Sequence, residues 1–243
     1  MEKIIGSQIF NLIEVDSTNN FAAKLVSDHL CQNGAVIMAD YQTDGKGQRG
    51  NKWDSNKGEN LIMSIVFQPD NLSVSEQIKI SWATCISIID LLTFYGIEAK
   101  IKWPNDIYIR IKKIAGILIE NQISGNLVNN SIIGIGMNVN QLHFQFRNAT
   151  SLLLECKNVH SIKEVSELLI EKLNSNLFQE FNFLKNRFEA NLFHINKMSQ
   201  FEDESGIFEG TIIGISENGQ LKVKKGEEIK YYGIKELIFR IDP

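Results

Sequence analysis

Gly45-Lys46-Gly47-Gln48-Arg49-Gly50-Asn51-Lys52-Trp53 is the stretch on which the fold turns. It follows an apolar run, Ala35-Val36-Ile37-Met38-Ala39, that reads as a buried strand, and precedes another, Leu61-Ile62-Met63-Ser64-Ile65-Val66-Phe67. Gly45, Gly47 and Gly50 satisfy G-x-G-x-x-G, and Asp70 stands about twenty residues on, as the dinucleotide-binding pattern asks. That pattern works only where a helix opens at its last glycine, because the pyrophosphate rests on the helix N-terminus. Residues 51–58 show no helical apolar period, so the dinucleotide fold is excluded. A P-loop is excluded as well, since no Ser or Thr follows a Gly-Lys pair. What is left is a cationic, glycine-rich loop between two strands. Its backbone N–H groups can wrap an anion while Lys46 and Arg49 neutralise charge. A solvated surface loop has the same composition.

Outward from the loop, residues 4–15 read as extended chain, and Asp16-Ser17-Thr18 offers N-cap chemistry to a helix carrying Phe21, Ala22, Leu25 and Val26. Ser73 and Glu76 have capping-box spacing before a helix with Ile78, Trp82, Cys85, Ile89 and Leu92 on one face and Gly96 as its C-cap. Short strands are predicted over 99–102, 107–109, 114–123 and 131–135. A second capping box, Ser161 with Glu164, opens one long helix running through Leu173, Leu177, Phe181 and Leu184 to Phe188. The texture then changes: strands over 208–215, 220–225, 228–232 and 237–241, with an Asn218-Gly219 turn, predict a small five-strand barrel. The expected organisation is α+β, with a main domain over 1–195 and a small one over 196–243.

Composition narrows the class. The chain has 243 residues, 43% apolar and 22% charged, which suits a globular domain with a sizeable core. Lys plus Arg is 25 against 29 Asp plus Glu, a net charge of −4, so a bulk basic surface for DNA is not expected. No apolar run approaches the ~18 residues of a membrane span. Cys31, Cys85 and Cys156 form neither a metal-spaced pair nor a disulfide framework, and a reducing cytoplasm is the expected location.

Three further segments can carry chemistry. In Lys102-Trp103-Pro104-Asn105-Asp106 a lysine ends a strand beside two polar side chains, which suits a phosphate ester or acid anhydride with a magnesium ion. A β-turn satisfied by Asn and Asp would look the same. In Lys113-Ile114-Ala115-Gly116 a mid-strand glycine marks close approach by ligand or backbone, or plain strand irregularity. In Gly134-Ile135-Gly136-Met137-Asn138-Val139-Asn140, the glycines leave room and Asn138 can read a polar edge; a bulge and turn is the alternative. His29, His143, His160 and His194 are scattered, and no G-x-S-x-G occurs, so neither a histidine metal site nor a nucleophile elbow is expected.

The order of these segments is more specific than any one of them. Asp16-Ser17-Thr18-Asn19, Tyr41-Gln42 with the glycine loop and Trp53, the Lys102 pentapeptide, Lys113-Ile114-Ala115-Gly116, Gly136-Met137-Asn138-Val139-Asn140 and Ala149-Thr150-Ser151-Leu152 together resemble the biotin–protein ligases over most of the chain. The resemblance implies a biotinyl/lipoyl ligase core, a mixed sheet flanked by helices, with an SH3-like C-terminal barrel. It implies two steps: biotin and ATP give biotinyl-5′-adenylate and pyrophosphate, and a lysine of a carboxylase's biotin carrier domain then takes the biotinyl group.

It also implies site roles. Ser17, Thr18, Asn19 and Gln42 fall where the family binds biotin's ureido ring, and Lys46, Gly47 and Gln48 on the loop that closes over biotin and adenylate. Arg49, Trp53, Asn105 and Asn138 fall on the adenylate side, and Gly116 on the strand wall of the biotin pocket. Lys102 matches a lysine that contacts biotin's carboxylate and the α-phosphate, and Asp106 is the expected magnesium ligand. Two departures matter: the family loop often reads G-R-G-R-x-G-R, and here Lys46, Gln48 and Asn51 replace its arginines. Lysine keeps charge without the bidentate fork, and Gln and Asn lose the charge. Asp16-Ser17-Thr18 arrives so early that no winged helix-turn-helix is expected before it, hence no repressor function and no DNA partner. The oligomeric state stays open. Lipoate or octanoate ligation on the same core is the rival reading; the polar Ser17-Thr18-Asn19 cluster and Gln42 favour a ureido ring over an alkyl chain.

Overall fold

The computed structural model describes residues 4–145 and 148–240, without the side chain of Arg49. β1 (Ile9–Leu12), β2 (Val36–Ala39), β3 (Asn60–Phe67), β4 (Lys100–Lys102), β5 (Asp106–Ile109), β6 (Lys112–Ser124) and β7 (Leu127–Asn138) form one sheet in the order β1-β2-β3-β7-β6-β5-β4. β1 pairs with β2 in parallel, and the other neighbours are antiparallel. This is the expected mixed sheet.

Helices cover both faces, which is why β3 is apolar without alternation and buried along its whole length. On one face α1 (Thr18–Ser27) presses Ala22 and Leu25 onto Ile37, Val66 and Ile132. On the other, α2 (Ile78–Phe94) packs under β5 and β6, with α4 (Ile162–Asn176) and α5 (Phe181–Ala190) outside it; the short α3 (Leu152–Cys156) follows β7. Val74–Phe94 does have the length and apolarity of a membrane span, contrary to expectation. It is the core helix: Trp82, Ala83, Cys85, Ile86, Ile88 and Leu91 are buried, and a helix sandwiched between sheet and helices is apolar all round.

Two capping expectations divide. Ser161 Oγ accepts from Glu164 N at 3.3 Å, the N-cap half of a capping box. Ser73 instead starts a 3₁₀ turn over Val74–Glu76, its hydroxyl 3.3 Å from the Glu76 carboxylate, and α2 begins only at Ile78. The single long helix predicted to end near Phe188 is two helices, α4 and α5. Asn176 ends the first: its Nδ2 donates to Lys172 O and the Asp90 carboxylate, and its Oδ1 accepts from Arg187 in α5. The turn brings Phe181 and Phe188 onto Trp82, with ring centroids at 5.0 and 5.9 Å.

The tail forms a second, antiparallel sheet: β8 (Met198–Asp203), β9 (Gly206–Ile215), β10 (Leu221–Lys225), β11 (Glu228–Tyr232) and β12 (Ile238–Arg240), ordered β11-β10-β9-β8-β12. β8 is a strand the sequence reading did not name. Among the described residues no ladder joins β11 to β12, so the sheet is open where a closed barrel was expected. It is bound to the first sheet. Trp103 Nε1 donates to Gly219 O at 3.0 Å in the Asn218-Gly219 turn, and Phe201, Phe208 and Ile212 share one apolar cluster with Trp82 and Phe188.

Candidate active site

The register of the first sheet builds the floor of a cavity. Lys102, Asp106, Gly116, Gly136 and Ile62 are successive cross-strand partners across β4, β5, β6, β7 and β3. They therefore share one face. Two residues further along the strands, the next row on that face is Leu118, Gly134 and Ser64. Over these rows lies a cavity of about 570 Å³.

At the β3–β7 side the wall is polar and uncharged. Ser17 occupies the N-cap position of α1, but its side chain makes no cap bond and lines the cavity. Gln42 caps in its place: Oε1 accepts from Thr18 N at 2.8 Å and from Thr18 Oγ1 at 3.0 Å. The hydroxyl of Ser64 sits 2.7 Å from Thr18 Oγ1 and 2.6 Å from Asn19 Oδ1, and Asn19 Nδ2 donates to Glu120 at 2.6 Å. Thr18, Asn19 and Ser64 are buried, so these bonds fix the direction of each donor and acceptor.

The glycine loop is a small hairpin. Gly47 N donates to Asn51 O at 2.7 Å and Trp53 N to Gly45 O at 2.9 Å, around a 3₁₀ turn at Gln48–Gly50. Asn51 is extended and no helix opens after Gly50, as the rejection of the dinucleotide pattern requires. Lys46 Nζ donates to Asn20 Oδ1 at 2.6 Å. The hairpin lays the Trp53 indole on the cross-strand pair Gly116 and Gly136; a Cβ on Gly136 would lie 2.3 Å from Trp53 Cε2. Only glycine permits that approach. Trp53 Nε1 is buried with no acceptor.

At the β4–β5–β6 side the wall is charged. Asp106 Oδ1 lies 2.7 Å from Lys113 Nζ. Lys113 Nζ also stands 5.5 Å from the centroid of the Trp53 ring, within cation–π range. Lys102 Nζ donates to Tyr108 Oη at 3.4 Å and stands 5.6 Å from the ring of Phe239 in β12. Burial lowers the Lys102 pKa; Asp106 opposes this and Lys113 adds to it. Burial, with Asp106 second, pushes Tyr108 up to about 12, so the phenol beside Lys102 stays neutral.

Ser17, Thr18, Asn19, Gln42, Lys46, Gly47, Gln48, Trp53, Lys102, Asn105, Asp106 and Gly116 all line this one cavity. The side chain of Arg49 lies outside the described residues. Asn138 departs from expectation: it is buried, donates from Nδ2 to Thr150 O at 2.9 Å, and does not line the cavity. Asn105 lines it but spends its amide on Ile117 O, which ties the Pro104 turn to β6. Gly134 lines the cavity, as its motif anticipates, whereas sequence reading missed Lys113 and the 234–239 segment as lining residues. Lys113 stands in a motif already singled out; it pairs with Tyr108 across the β5–β6 hairpin and reaches diagonally to Asp106.

The donor set does not fit a resident metal. Asp106 is the one carboxylate among the lining residues, Lys113 holds it, and no cluster of three acidic, His or Cys side chains exists among the described residues. Magnesium ordinarily needs one or two carboxylates plus substrate phosphates.

A model of the Biotin/lipoate A/B protein ligase family matches residues 12–138. The Bifunctional ligase/repressor BirA of Bacillus spizizenii is 28% identical over 238 residues, 94% of this chain and 73% of that protein. The Biotin--[acetyl-CoA-carboxylase] ligase of Paracoccus denitrificans is 34% identical over 131 residues, 53% of either chain. Among solved structures, the biotin protein ligase from Aquifex aeolicus in complex with biotin and ATP superposes with a TM-score of 0.76 at 26% identity, covering 97% of this chain and 100% of that one.

Proposed function

The chain belongs to the biotin/lipoate A/B protein ligase family, and from that membership we propose that it is an ATP-dependent biotin–protein ligase. A carboxylate oxygen of biotin attacks the α-phosphorus of ATP, the bond to the β-phosphate oxygen breaks, and biotinyl-5′-adenylate and pyrophosphate result. The amine of an acceptor lysine then attacks the biotinyl carbonyl and AMP leaves. The acceptor in this reading is the biotin carrier domain of a carboxylase.

The observation that carries the reading is the division of one cavity into a neutral hydrogen-bonding wall and a cationic one. Ser17, Thr18, Asn19 and Gln42 offer oriented donors and acceptors to a ureido ring, which an alkyl chain could not use. Lys46, Gly47 and Gln48, with Arg49, belong to the loop that covers biotin and adenylate. Trp53 on its glycine seat is the flat wall for a ring, with Gly116 beneath it. Lys102 and Lys113 bracket Asp106 and supply the positive field for the charge that grows on the α-phosphoryl oxygens. Asn105 shapes the turn between them. Magnesium would arrive as the counter-ion of the triphosphate and not as a resident ion; Asp106, held by Lys113, is not assigned to it and no step runs through it. The same reading takes 1–195 as the catalytic domain and 196–243 as an SH3-like domain, which the five antiparallel strands support.

The direct test is pyrophosphate exchange into ATP, run separately with biotin and with lipoate. Biotin-dependent exchange is expected. Exchange with lipoate alone would overturn the substrate assignment.

The lowered pKa of Lys102 carries a second expectation. Its ammonium is lost as pH rises through that value, so adenylate formation declines on the alkaline side below the ordinary lysine range. Lys102→Arg keeps its charge and should shift the decline upward. Identical alkaline limbs in both proteins would remove Lys102 as their origin.

A further inference from the structure

The second sheet reaches into the cavity. The turn between β11 and β12 lines it with Ile234, Lys235 and Leu237, followed by Ile238 and Phe239. Lys235 adopts φ 80°, a left-handed conformation that glycine takes freely and a lysine does not. The turn enforces it: Gly233 N donates to Glu236 Oε2 at 2.6 Å, and Glu236 N to Gly233 O at 3.1 Å. Residues held in this way persist only where the surroundings fix them, and they cluster at ligand clamps.

Charge supplies an independent argument. The cavity is lined by Lys46, Lys52, Lys102, Lys113 and Lys235 against Asp106 alone, in a chain whose net charge is −4. Such a concentration focuses the field on a polyanion. Lys113 is paired with Asp106 at 2.7 Å and Lys52 with Asp44 at 3.0 Å, while Lys46 is held by Asn20 at 2.6 Å. Lys102 is half-buried against Tyr108. Lys235 is exposed and in no ion pair among the described residues. The ring of Phe239, on the strand that Lys235 leads into, has its centroid 5.6 Å from the ammonium of Lys102.

We propose that Lys235 binds the β- and γ-phosphates of ATP, and thus the departing pyrophosphate. This rests on the ligase reading. Lys102 and Lys113 serve the α-phosphate from the floor of the first sheet, and Lys235 serves the rest of the triphosphate from the second sheet. The C-terminal sheet is then part of the nucleotide site, and its docking through Trp103 and Gly219 sets how far Lys235 reaches.

The test compares two ligands on the full chain. Lys235→Gln is expected to weaken ATP binding by about tenfold, the loss of one charged contact at a solvent-facing site. Biotinyl-5′-AMP lacks the β- and γ-phosphates, so its affinity should not change. Lys235→Gly should weaken ATP equally while raising Tm, because glycine relieves the left-handed strain; a loss in the more stable variant is not a folding defect. Lys235→Arg should restore ATP affinity. Unchanged ATP affinity in the Gln and Gly variants, or equal weakening of ATP and biotinyl-5′-AMP, overturns the assignment. Failure of the parent chain to bind biotin and ATP would overturn the ligase reading itself, a distinguishable result.

Discussion

Lys102→Gln should slow biotinyl-adenylate formation by about 10²–10³ while the chain stays folded, the usual effect of deleting one preorganised electrostatic contact. Glutamine is one atom shorter than lysine, keeps a polar N–H donor and removes the charge. The fold tolerates the change because Lys102 makes no ion pair among the described residues and ends an edge strand. Lys113→Gln is expected to be at least as damaging. Lys102 and Asp106 are cross-strand partners, so removing Lys113 leaves the Asp106 carboxylate beside Lys102 alone, where it neutralises the remaining cation. The double variant should then be little worse than Lys113→Gln, a non-additivity expected of coupled charges. Pre-steady-state formation of the adenylate measures all three. A folded Lys102→Gln protein with the parent rate would refute the assignment of Lys102, and strictly additive losses would refute its coupling to Asp106.

Gly134→Ala should weaken biotin binding by roughly tenfold to a hundredfold, equivalent to the ~1–3 kcal/mol of a buried hydrogen-bonding group losing its partner. A Cβ at Gly134 would lie 2.4 Å from Asn19 Oδ1. Asn19 is buried, with Ser64 on its oxygen and Glu120 on its amide, so it cannot swing aside without breaking that set. Displacing it disorders the neutral wall and leaves Lys102, Asp106 and Lys113 untouched. Calorimetry with biotin and with ATP separates the two ends of the cavity: biotin affinity should fall and ATP affinity should hold. Parent-like biotin affinity in the variant would show that Asn19 does not bind the ring.

The reading of Gly45 to Trp53 was available from sequence because it depends on local chemistry alone. A helix-opening glycine needs apolar residues at helical spacing after it, and residues 51–58 have none. Strand runs at 35–39 and 61–67, the apolar helix near Trp82 and the Ser161 cap are likewise local, and the order of motifs brought twelve of the lining residues into view. The helix break at Asn176 was not legible. Leu173, Leu177, Phe181, Leu184 and Phe188 keep helical spacing straight through it, and the break comes from Asp90 and Arg187, both distant in sequence from the turn or its far side. Ser17 reads as a cap but is freed for the cavity by Gln42, a partner 24 residues from Thr18.

Local patterns and the order of the motifs give most of the first sheet's strands, α1, α2 and the start of α4, the absence of a dinucleotide helix, and twelve of the residues that line the cavity. Which side chains face one another comes from the three-dimensional packing. Strand register, fixed by packing on both faces, put Lys102, Asp106, Gly116 and Gly136 in one row and made the two glycines a seat for Trp53. Packing also set Lys113 diagonally beside Asp106, reserved Asn138 for Thr150, and carried Lys235 into the cavity from a second sheet. A one-residue slip in any of these ladders would turn every one of its side chains to the other face, and no local pattern records which register wins.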